Sequence, residues 1–164
     1  MTTSLVRTRL AVPDDVGTVH ALVERCSPAT LHARFHVPTD RLPARVVERL
    51  VLPRRGWSLV AEQCGTVVGH GCVGEVSRRS LEVGLLVEDA QHGRGIGSRL
   101  MRDLAAGAAA RGYRSLVCVA QPDNEGVVPT INKAGLDALC TWVDGLLEIE
   151  VPLPVADPRL RHPA

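Results

Sequence analysis

The sequence predicts an α+β fold with a mixed β-sheet, and three observations support this prediction. Seven short stretches have the apolar or alternating pattern that is typical of strands. Two of the turns between them, Cys64-Gly65 and Asp144-Gly145, are two-residue hairpin signals that link antiparallel neighbours. Three hairpin-linked strands precede a long helix, so the order is not the alternating strand–helix order of a doubly wound sheet.

Local signals place the individual elements. The seven predicted strands are Ser4–Ala11, Trp57–Gln63, Thr66–Glu75, Leu81–Val87, Ser115–Ala120, Ala138–Val143 and Leu146–Val151. Capping or proline residues begin three helices and a glycine ends the fourth, namely Pro13-Asp14-Asp15, Ser27-Pro28, Pro43 and Gly112. A fifth helix is predicted between Asn124 and Ala134. We expect Pro129 to be its first residue, because proline clashes inside a helix.

Charge and composition exclude several classes of partner. The 164 residues carry 19 basic and 18 acidic side chains, which argues against nucleic acid or an anionic membrane as the main partner. The charge is uneven, because residues 1–56 contain nine arginines and five acids. This excess indicates either a solvated face or a docking surface for an acidic substrate.

The cysteines and histidines predict neither disulfides nor a metal site. Five cysteines share no Cys-x-x-Cys spacing and lie mostly in apolar stretches, as expected in a reducing compartment. His32 and His36 are four residues apart but lack a third ligand, so we expect no metal. No charged-then-apolar leader is present and no apolar run approaches about 20 residues, so we expect a cytoplasmic protein.

A glycine-rich stretch, His92-Gly93-Arg94-Gly95-Ile96-Gly97, lies between a strand and a helix. A Walker A motif is excluded because the chain's only lysine is Lys133. The dinucleotide fingerprint requires glycine where Ser98 stands, and a βαβ unit. Unobstructed N–H groups at a helix N-terminus form a nest for a pyrophosphate, helped by Arg94 and Arg99. The alternative is a tight turn that binds nothing.

The segment Leu81–Leu104 resembles the acetyl-CoA motif of the GCN5-related N-acetyltransferases, the GNAT superfamily. Its signature, Gln/Arg-x-x-Gly-x-Gly/Ala, matches here except that His92 replaces the glutamine. A second block, from Asn124 to Gly135-Leu136, matches the family's Asn…Gly-Phe pattern with leucine for phenylalanine. The resemblance implies one domain over residues 1–151, with a mostly antiparallel sheet of about seven strands and helices on both faces. Residues 152–164 are expected to form a loose, proline-rich tail.

The resemblance also implies acetyl-CoA as co-substrate and a role for each matched position. Backbone groups of Leu85, Leu86 and Val87 would pair with the pantetheine arm, and Asn124 would hydrogen-bond the cofactor. The remaining predicted cofactor residues, which would hold the pyrophosphate or occupy the glutamine position, are His92, Gly93, Arg94, Gly95, Ile96, Gly97 and Ser98.

Glu82 is the candidate general base, because freeing a lysine-like amine of pKa ~10.4 costs roughly 4.6 kcal/mol at pH 7. It shares a strand face with Gly84, where we expect room for a substrate. The stretch SLEVGLLV is similar to a strand of bacterial protein-lysine acetyltransferases. Glu75, on the neighbouring predicted strand, is the second candidate for the general base.

A general acid is less clearly indicated. Many relatives place a tyrosine seven residues after the asparagine, where this chain has Ile131. Either the thiolate leaves unassisted, at about 2 kcal/mol, or Thr130, Asn132 or water assists.

Two functions therefore compete. The first is an N-acetyltransferase that acts on a small-molecule amine or a protein lysine, with a homodimer as the oligomer considered. The second is a non-catalytic acyl-CoA-binding domain. A dinucleotide-binding module would need the βαβ pattern that the sequence lacks.

Overall fold

The computed structural model describes residues 5–154. The strands are β1 Arg7–Leu10, β2 Gly56–Gln63, β3 Thr66–Glu75, β4 Ser80–Val87, β5 Ser115–Ala120, β6 Leu139–Val143 and β7 Leu146–Pro152. The helices are α1 Asp15–Arg25, α2 Pro28–Phe35, α3 Ala44–Val51, α4 Ile96–Ala110 and α5 Val127–Lys133, with a 3₁₀ turn at Asp89–Gln91. None of the helices in this part of the chain has the length and apolar character that a membrane span requires.

A single seven-stranded sheet, in the order β1-β2-β3-β4-β5-β7-β6, forms the centre of the domain. Only β4 and β5 run parallel within this sheet, and the other neighbours are antiparallel. Residues of α4 and α5 pack against one face in the larger apolar cluster. Residues of α1, α2 and α3 pack against the other face in a second cluster. The predicted α+β fold, with a mixed, mostly antiparallel sheet and helices on both faces, is confirmed.

Both predicted hairpin turns form with the backbone that their sequences favour. Cys64 and Gly65 have φ of 50° and 76°, and Asp144 and Gly145 have φ of 48° and 81°. Positive φ at both central residues characterises the type I′ turn, which matches the twist of the flanking strands. The predicted cap of α2 is also present, because Ser27 Oγ accepts a hydrogen bond from Thr30 N at 3.2 Å.

The structure differs from the sequence prediction mainly at the ends of α5, β1 and the C-terminal region, and three other strand starts differ by one residue. Pro129 is the third residue of α5 and not the first, since the helix begins at Val127. The first-turn N–H groups of a helix have no intrahelical acceptor, so proline is tolerated there. β1 is shorter than predicted, and Ser4 lies outside the described residues. β7 extends to Pro152 and Leu153 is buried, whereas residues 155–164 of the predicted tail lie outside the described part.

Candidate active site

A cavity opens where the two parallel strands of the sheet separate. β4 pairs with β5 over Ser80–Glu82 in the described chain, and a 2.9 Å hydrogen bond joins the hydroxyls of Ser80 and Ser115 at the start of this pairing. On its other side, β4 stays paired with β3 as far as Val87. Beyond Glu82 the two parallel strands therefore diverge. A cavity of about 640 Å³ lies between them, the glycine-rich loop and α5.

The glycine-rich loop forms one end of this cavity. Gly93 and Gly95 have φ of 76° and 80°, a region that other residues enter only with strain, and α4 begins immediately afterwards at Ile96. The first N–H groups of a helix lack intrahelical acceptors and carry part of the positive end of the helix dipole. The loop and helix start therefore have the geometry of an anion-binding nest, and they line the cavity.

The structure brings most of the predicted cofactor residues together on this cavity. Those that line it are Leu85, Leu86, Val87, His92, Gly93, Gly95, Ile96, Gly97, Ser98 and Asn124. Arg94 is not among the described lining residues, and its Nη1 donates to Gln91 Oε1 at 2.7 Å. Arg99 also does not line the cavity, because its Nη1 donates to the Val6 carbonyl at 2.7 Å. The expected help from these two arginines at the nest is therefore not seen.

His92, which stands where the family has glutamine, connects the loop to the end of β4. Its Nε2 lies 2.8 Å from the carbonyl oxygen of Val87. A carbonyl oxygen only accepts hydrogen bonds, so Nε2 is the protonated ring nitrogen. The loop is thereby fixed to the strand whose backbone is predicted to pair with the pantetheine arm.

Helix α5 forms part of the cavity wall. A Cβ added to Gly97 would lie 3.3 Å from Thr130 Cγ2, so α4 and α5 approach closely at this point. Thr130 lines the cavity, whereas Asn132 is not among the described lining residues. Ile131, at the position of the family's tyrosine, is fully buried in the larger apolar cluster. Of the two candidate side-chain acids, only Thr130 is therefore placed to contact a ligand.

The candidate base lies on the face of β4 that points towards α2. Leu81 and Val83 pack in the cluster under α4, so Glu82 faces the other way, as its parity predicts. Glu82 is exposed and lines the cavity, and it is the one carboxylate among the described lining residues. Glu75 is absent from that lining, and it accepts a 3.4 Å hydrogen bond from the hydroxyl of Tyr113.

The expected open space at Gly84 is not present. A Cβ built on Gly84 would collide with Cζ and Nη2 of Arg34, from α2. The missing side chain thus makes room for a guanidinium of the protein itself and not for a substrate. Arg34 also lines the cavity, and its Nη2 donates to Cys72 Sγ at 3.4 Å.

The thiols near Glu82 are kept protonated by burial. Burial, with Cys140 and Glu82 nearby, raises the pKa of Cys118 to about 11, and this side chain lines the cavity. Burial also raises the pKa of Cys72, although the positive charge of Arg34 acts to lower it. Within residues 5–154, no group of three or more His, Cys, Asp or Glu side chains is arranged to hold a metal ion.

Three basic side chains line the cavity but were not predicted as site residues from the sequence: Arg34, His36 and Lys133. The arginine excess in residues 1–56 indicated in general terms that an arginine such as Arg34 could lie at a binding surface. No local spacing connects α2 with β4, however, so the sequence did not single out Arg34 among nine arginines. The rings of Phe35 and Trp57 pack against the apolar clusters and lie beneath Arg34 and Arg111 respectively.

Comparisons with known proteins agree with this fold. The chain is similar to the GNAT domain of S. lividans PAT, with 26% identity, 90% of each chain covered and a TM-score of 0.82. It is also similar in fold to phosphinothricin acetyltransferase from Sinorhizobium meliloti in complex with acetyl-CoA, with 17% identity, coverage of 90% and 88%, and a TM-score of 0.73. A third similar structure is ribosomal-protein-alanine N-acetyltransferase from Brucella melitensis, with 20% identity, coverage of 89% and 98%, and a TM-score of 0.68.

No match among curated protein sequences was found. The acetyltransferase (GNAT) family model, however, matches residues 20–136, which include β2, β3, β4, the glycine-rich loop and α5. That span covers most of the chain and the greater part of the cavity wall. The chain therefore belongs to the acetyltransferase (GNAT) family.

Proposed function

We propose that this protein transfers the acetyl group of acetyl-CoA to a primary amine, by direct attack in a ternary complex. The observation that carries the proposal is the cavity between the diverging strands β4 and β5, which joins the glycine nest at one end to Glu82 at the other. Such a cavity can hold an extended molecule with a pyrophosphate at the nest and a reactive group near a carboxylate.

Acetyl-CoA fits the residues that are present. Gly93 to Ser98 would hold the pyrophosphate through backbone N–H groups, and Asn124 would contribute a side-chain hydrogen bond. The backbone of Leu85 to Val87, which β5 leaves uncovered, would pair with the pantetheine arm as an added strand does. Lys133 also lines the cavity and would add positive charge for the phosphates.

In the proposed reaction, the amine nitrogen attacks the thioester carbonyl carbon and the C–S bond breaks. Glu82 would take the proton that the amine must lose, and the CoA thiolate would be protonated by water. Direct transfer is favoured over an acetyl-cysteine intermediate. Burial raises the pKa of Cys118 to about 11, so little nucleophilic thiolate forms at pH 7.

A non-catalytic acyl-CoA-binding domain is the alternative function, favoured by the buried Ile131 where relatives carry a tyrosine acid. One pair of measurements distinguishes the two. Thermal unfolding with and without acetyl-CoA tests binding, and thiol release in the presence of a panel of amines and lysine peptides tests transfer. Binding with transfer supports the proposal, and binding without transfer to any amine supports the alternative. Absence of acetyl-CoA binding contradicts both.

A homodimer is a secondary part of the proposal. The edge strand β6 exposes both faces, and Leu139 and Trp142 on it are 56% and 62% exposed. A second copy that paired with this edge would cover the apolar side chains. Light scattering on the parent and on Trp142→Ser tests this, and a monomeric parent would contradict it.

A further inference from the structure

The guanidinium of Arg34 is built into the wall of the cavity. It lies directly against the backbone of β4 at Gly84, in a position that any side chain at residue 84 would occupy. The start of α2 is fixed to the turn after β4, because Asp89 accepts hydrogen bonds from the backbone and hydroxyl of Ser27 at 2.8 and 2.6 Å. Thr30 Oγ1 donates to the same carboxylate at 2.9 Å. Helix α2 therefore holds Arg34 in a defined place over β4.

This cation has few partners of its own. Its one hydrogen bond in the described chain is the 3.4 Å contact with the sulfur of Cys72, which is a weak acceptor. Its Cζ also lies 4.9 Å from the centroid of the Phe35 ring. A guanidinium has five N–H donors, so most of them remain available. Within residues 5–154, no ion pair involves either Arg34 or Glu82.

Arg34 and Glu82 thus present opposite charges side by side without neutralising each other. Gly84, beneath the guanidinium, and Glu82 lie on the same face of β4, two residues or about 7 Å apart along the strand. Each hydrogen bond to a ligand takes about 3 Å. A ligand whose positive and negative groups are separated by only a few bonds can therefore contact both side chains at once.

We propose that the acceptor is an amine that carries a carboxylate within a few bonds, as an α-amino acid does, and that Arg34 binds this carboxylate while Glu82 contacts the amine. The inference rests on the proposed acetyl transfer and narrows its acceptor. His36, directly after α2, supports it. This residue also lines the cavity, and its Nδ1 is buried without a hydrogen-bond partner in the described chain. With the ring hydrogen on Nδ1, that nitrogen would donate a hydrogen bond to the carboxylate as well.

The test compares each of the common α-amino acids except proline and cysteine with its α-amide, using thiol release from acetyl-CoA to obtain kcat/KM. The amide removes the negative charge and keeps the shape. Its amine is less basic and so is more often neutral, which means that a preference for the acid runs against intrinsic reactivity. At least one amino acid should be accepted, with its amide about ten- to hundredfold poorer. Arg34→Met should bring the ratio of acid to amide close to one without changing acetyl-CoA binding.

Two matched controls separate charge recognition from structure. Arg111 likewise stacks on an aromatic ring, at 4.2 Å from that of Trp57, but is not among the described cavity residues, so Arg111→Met should keep the ratio. Gly84→Ala should lower the ratio of acid to amide, because the added methyl group displaces the guanidinium of Arg34 without removing it. Gly74→Ala, on β3, has open space around the added methyl group and should have no effect.

Each outcome is decisive. Equal rates for acids and amides, or a ratio that Arg34→Met leaves unchanged, would overturn the inference. Transfer to amines without a carboxylate but to no amino acid would also overturn it and would leave the proposed function standing. If no amine reacts, binding of the same acids and amides to the CoA-saturated protein is measured by calorimetry. A preference for the acids that Arg34→Met removes would then support carboxylate recognition and contradict transfer. Without such a preference, both proposals fail.

Discussion

The two sides of β4 contribute to the cavity in different ways. Towards α4, the wall includes the glycine-rich loop, the first turn of the helix and the strand segment that β5 leaves uncovered, and their backbone N–H and C=O groups can bind a ligand. Towards α2, it consists of side chains from separate elements, chiefly Arg34 from α2 and Glu82 from β4. The side towards α4 suits a ligand that stays the same, such as a cofactor. On the side towards α2, a single substitution can change which ligand is bound.

Under the proposed function, we expect this difference to separate cofactor recognition from acceptor recognition. A backbone nest requires only glycines and a helix start, and substitution of the other loop residues leaves its N–H groups in place. A pair of side chains on different elements depends on their identities and on how the elements pack. We therefore expect the side towards α4 to be sensitive to backbone changes and the side towards α2 to be sensitive to changes of charge.

The largest expected effect is on the backbone side. Gly95→Glu should abolish acetyl-CoA binding, because the added carboxylate fills and charges the nest. At a ligand concentration of 100 times Kd, the parent should gain about 2.7 kcal/mol, or roughly 5–10 °C in Tm. The variant should show no rise when both are measured by thermal unfolding.

Gly145→Glu is the matched control for this prediction. Gly95 and Gly145 have φ of 80° and 81°, and neither has an atom within 4 Å of an added Cβ. The backbone strain of the two substitutions is therefore the same, while Gly145 lies in the β6–β7 turn. A Tm rise that survives in Gly95→Glu, or is lost in both variants, would contradict a ligand nest at residue 95.

The next largest effect is expected on the side of β4 that faces α2. Glu82→Gln should lower kcat on an accepted amine by about 10²-fold or more at pH 7, with acetyl-CoA binding unchanged. The loss should shrink as the pH approaches the pKa of the amine, because more of the acceptor is then already neutral. A pH profile of thiol release with the parent and the variant measures both effects.

Glu75→Gln supplies the comparison for Glu82. It removes a carboxylate from the adjacent strand β3, next to Leu81 in the register, without altering the described cavity wall. Its kcat should stay within a few-fold of the parent. A large loss in Glu75→Gln with little change in Glu82→Gln would show that the base had been assigned to the wrong strand.

The same contrast explains how much the sequence could predict. Elements with local signals were found, such as both type I′ turns and the capped helix α2. The glycine-rich loop before α4 could be predicted for the same reason, because its residues are contiguous and precede a helix. Helix α5 begins two residues before the predicted start, because the first-turn positions of a helix tolerate proline.

The side of β4 towards α2 was predicted less well, for a physical reason. The parity of β4 placed Glu82 on the correct face, since alternation is a local property of a strand. What covers Gly84 depends on the packing of α2, which begins 56 residues earlier and is positioned through Asp89. Only the folded arrangement brings Arg34 to that glycine, so the sequence suggested an empty site where a cation lies.

A smaller effect is expected from His70, which lies on β3 opposite Leu86 and is 2% exposed. Burial, together with the charge of Arg34, lowers its pKa to about 4. The unfolded state therefore binds the proton more tightly between pH ~6.5 and about 4. The free energy of unfolding should be full above this range and should fall by about 2 kcal/mol as the pH drops from 7 to 4.5.

His70→Gln removes the titrating group and should flatten this part of the pH profile, whatever it does to stability at pH 7. Urea unfolding at pH 4.5, 5.5 and 7 measures the change. His20→Gln is the control, because His20 lies on α1 with 37% of its side chain exposed, and it should keep the parent's profile. A parent profile that is flat over this range would show that His70 is not held neutral by burial.

The smallest effect is expected at Thr130, on the boundary between the two sides. Its position on the cavity makes it the remaining side-chain candidate for a general acid, because Ile131 is fully buried and Asn132 is not among the described lining residues. Release of a Cys-like thiolate costs only about 2 kcal/mol at pH 7, so protonation by a side chain is not needed. Thr130→Val should therefore keep kcat within about threefold, while general acid catalysis would supply 10²-fold or more. Ile131→Tyr cannot replace this test, since a larger ring in a filled core costs about 1–3 kcal/mol in strain. Thiol release by the parent, Thr130→Val and Asn132→Ala measures the effect. A hundredfold loss confined to Thr130→Val, with acetyl-CoA binding unchanged, would show that the cavity contains a side-chain acid after all.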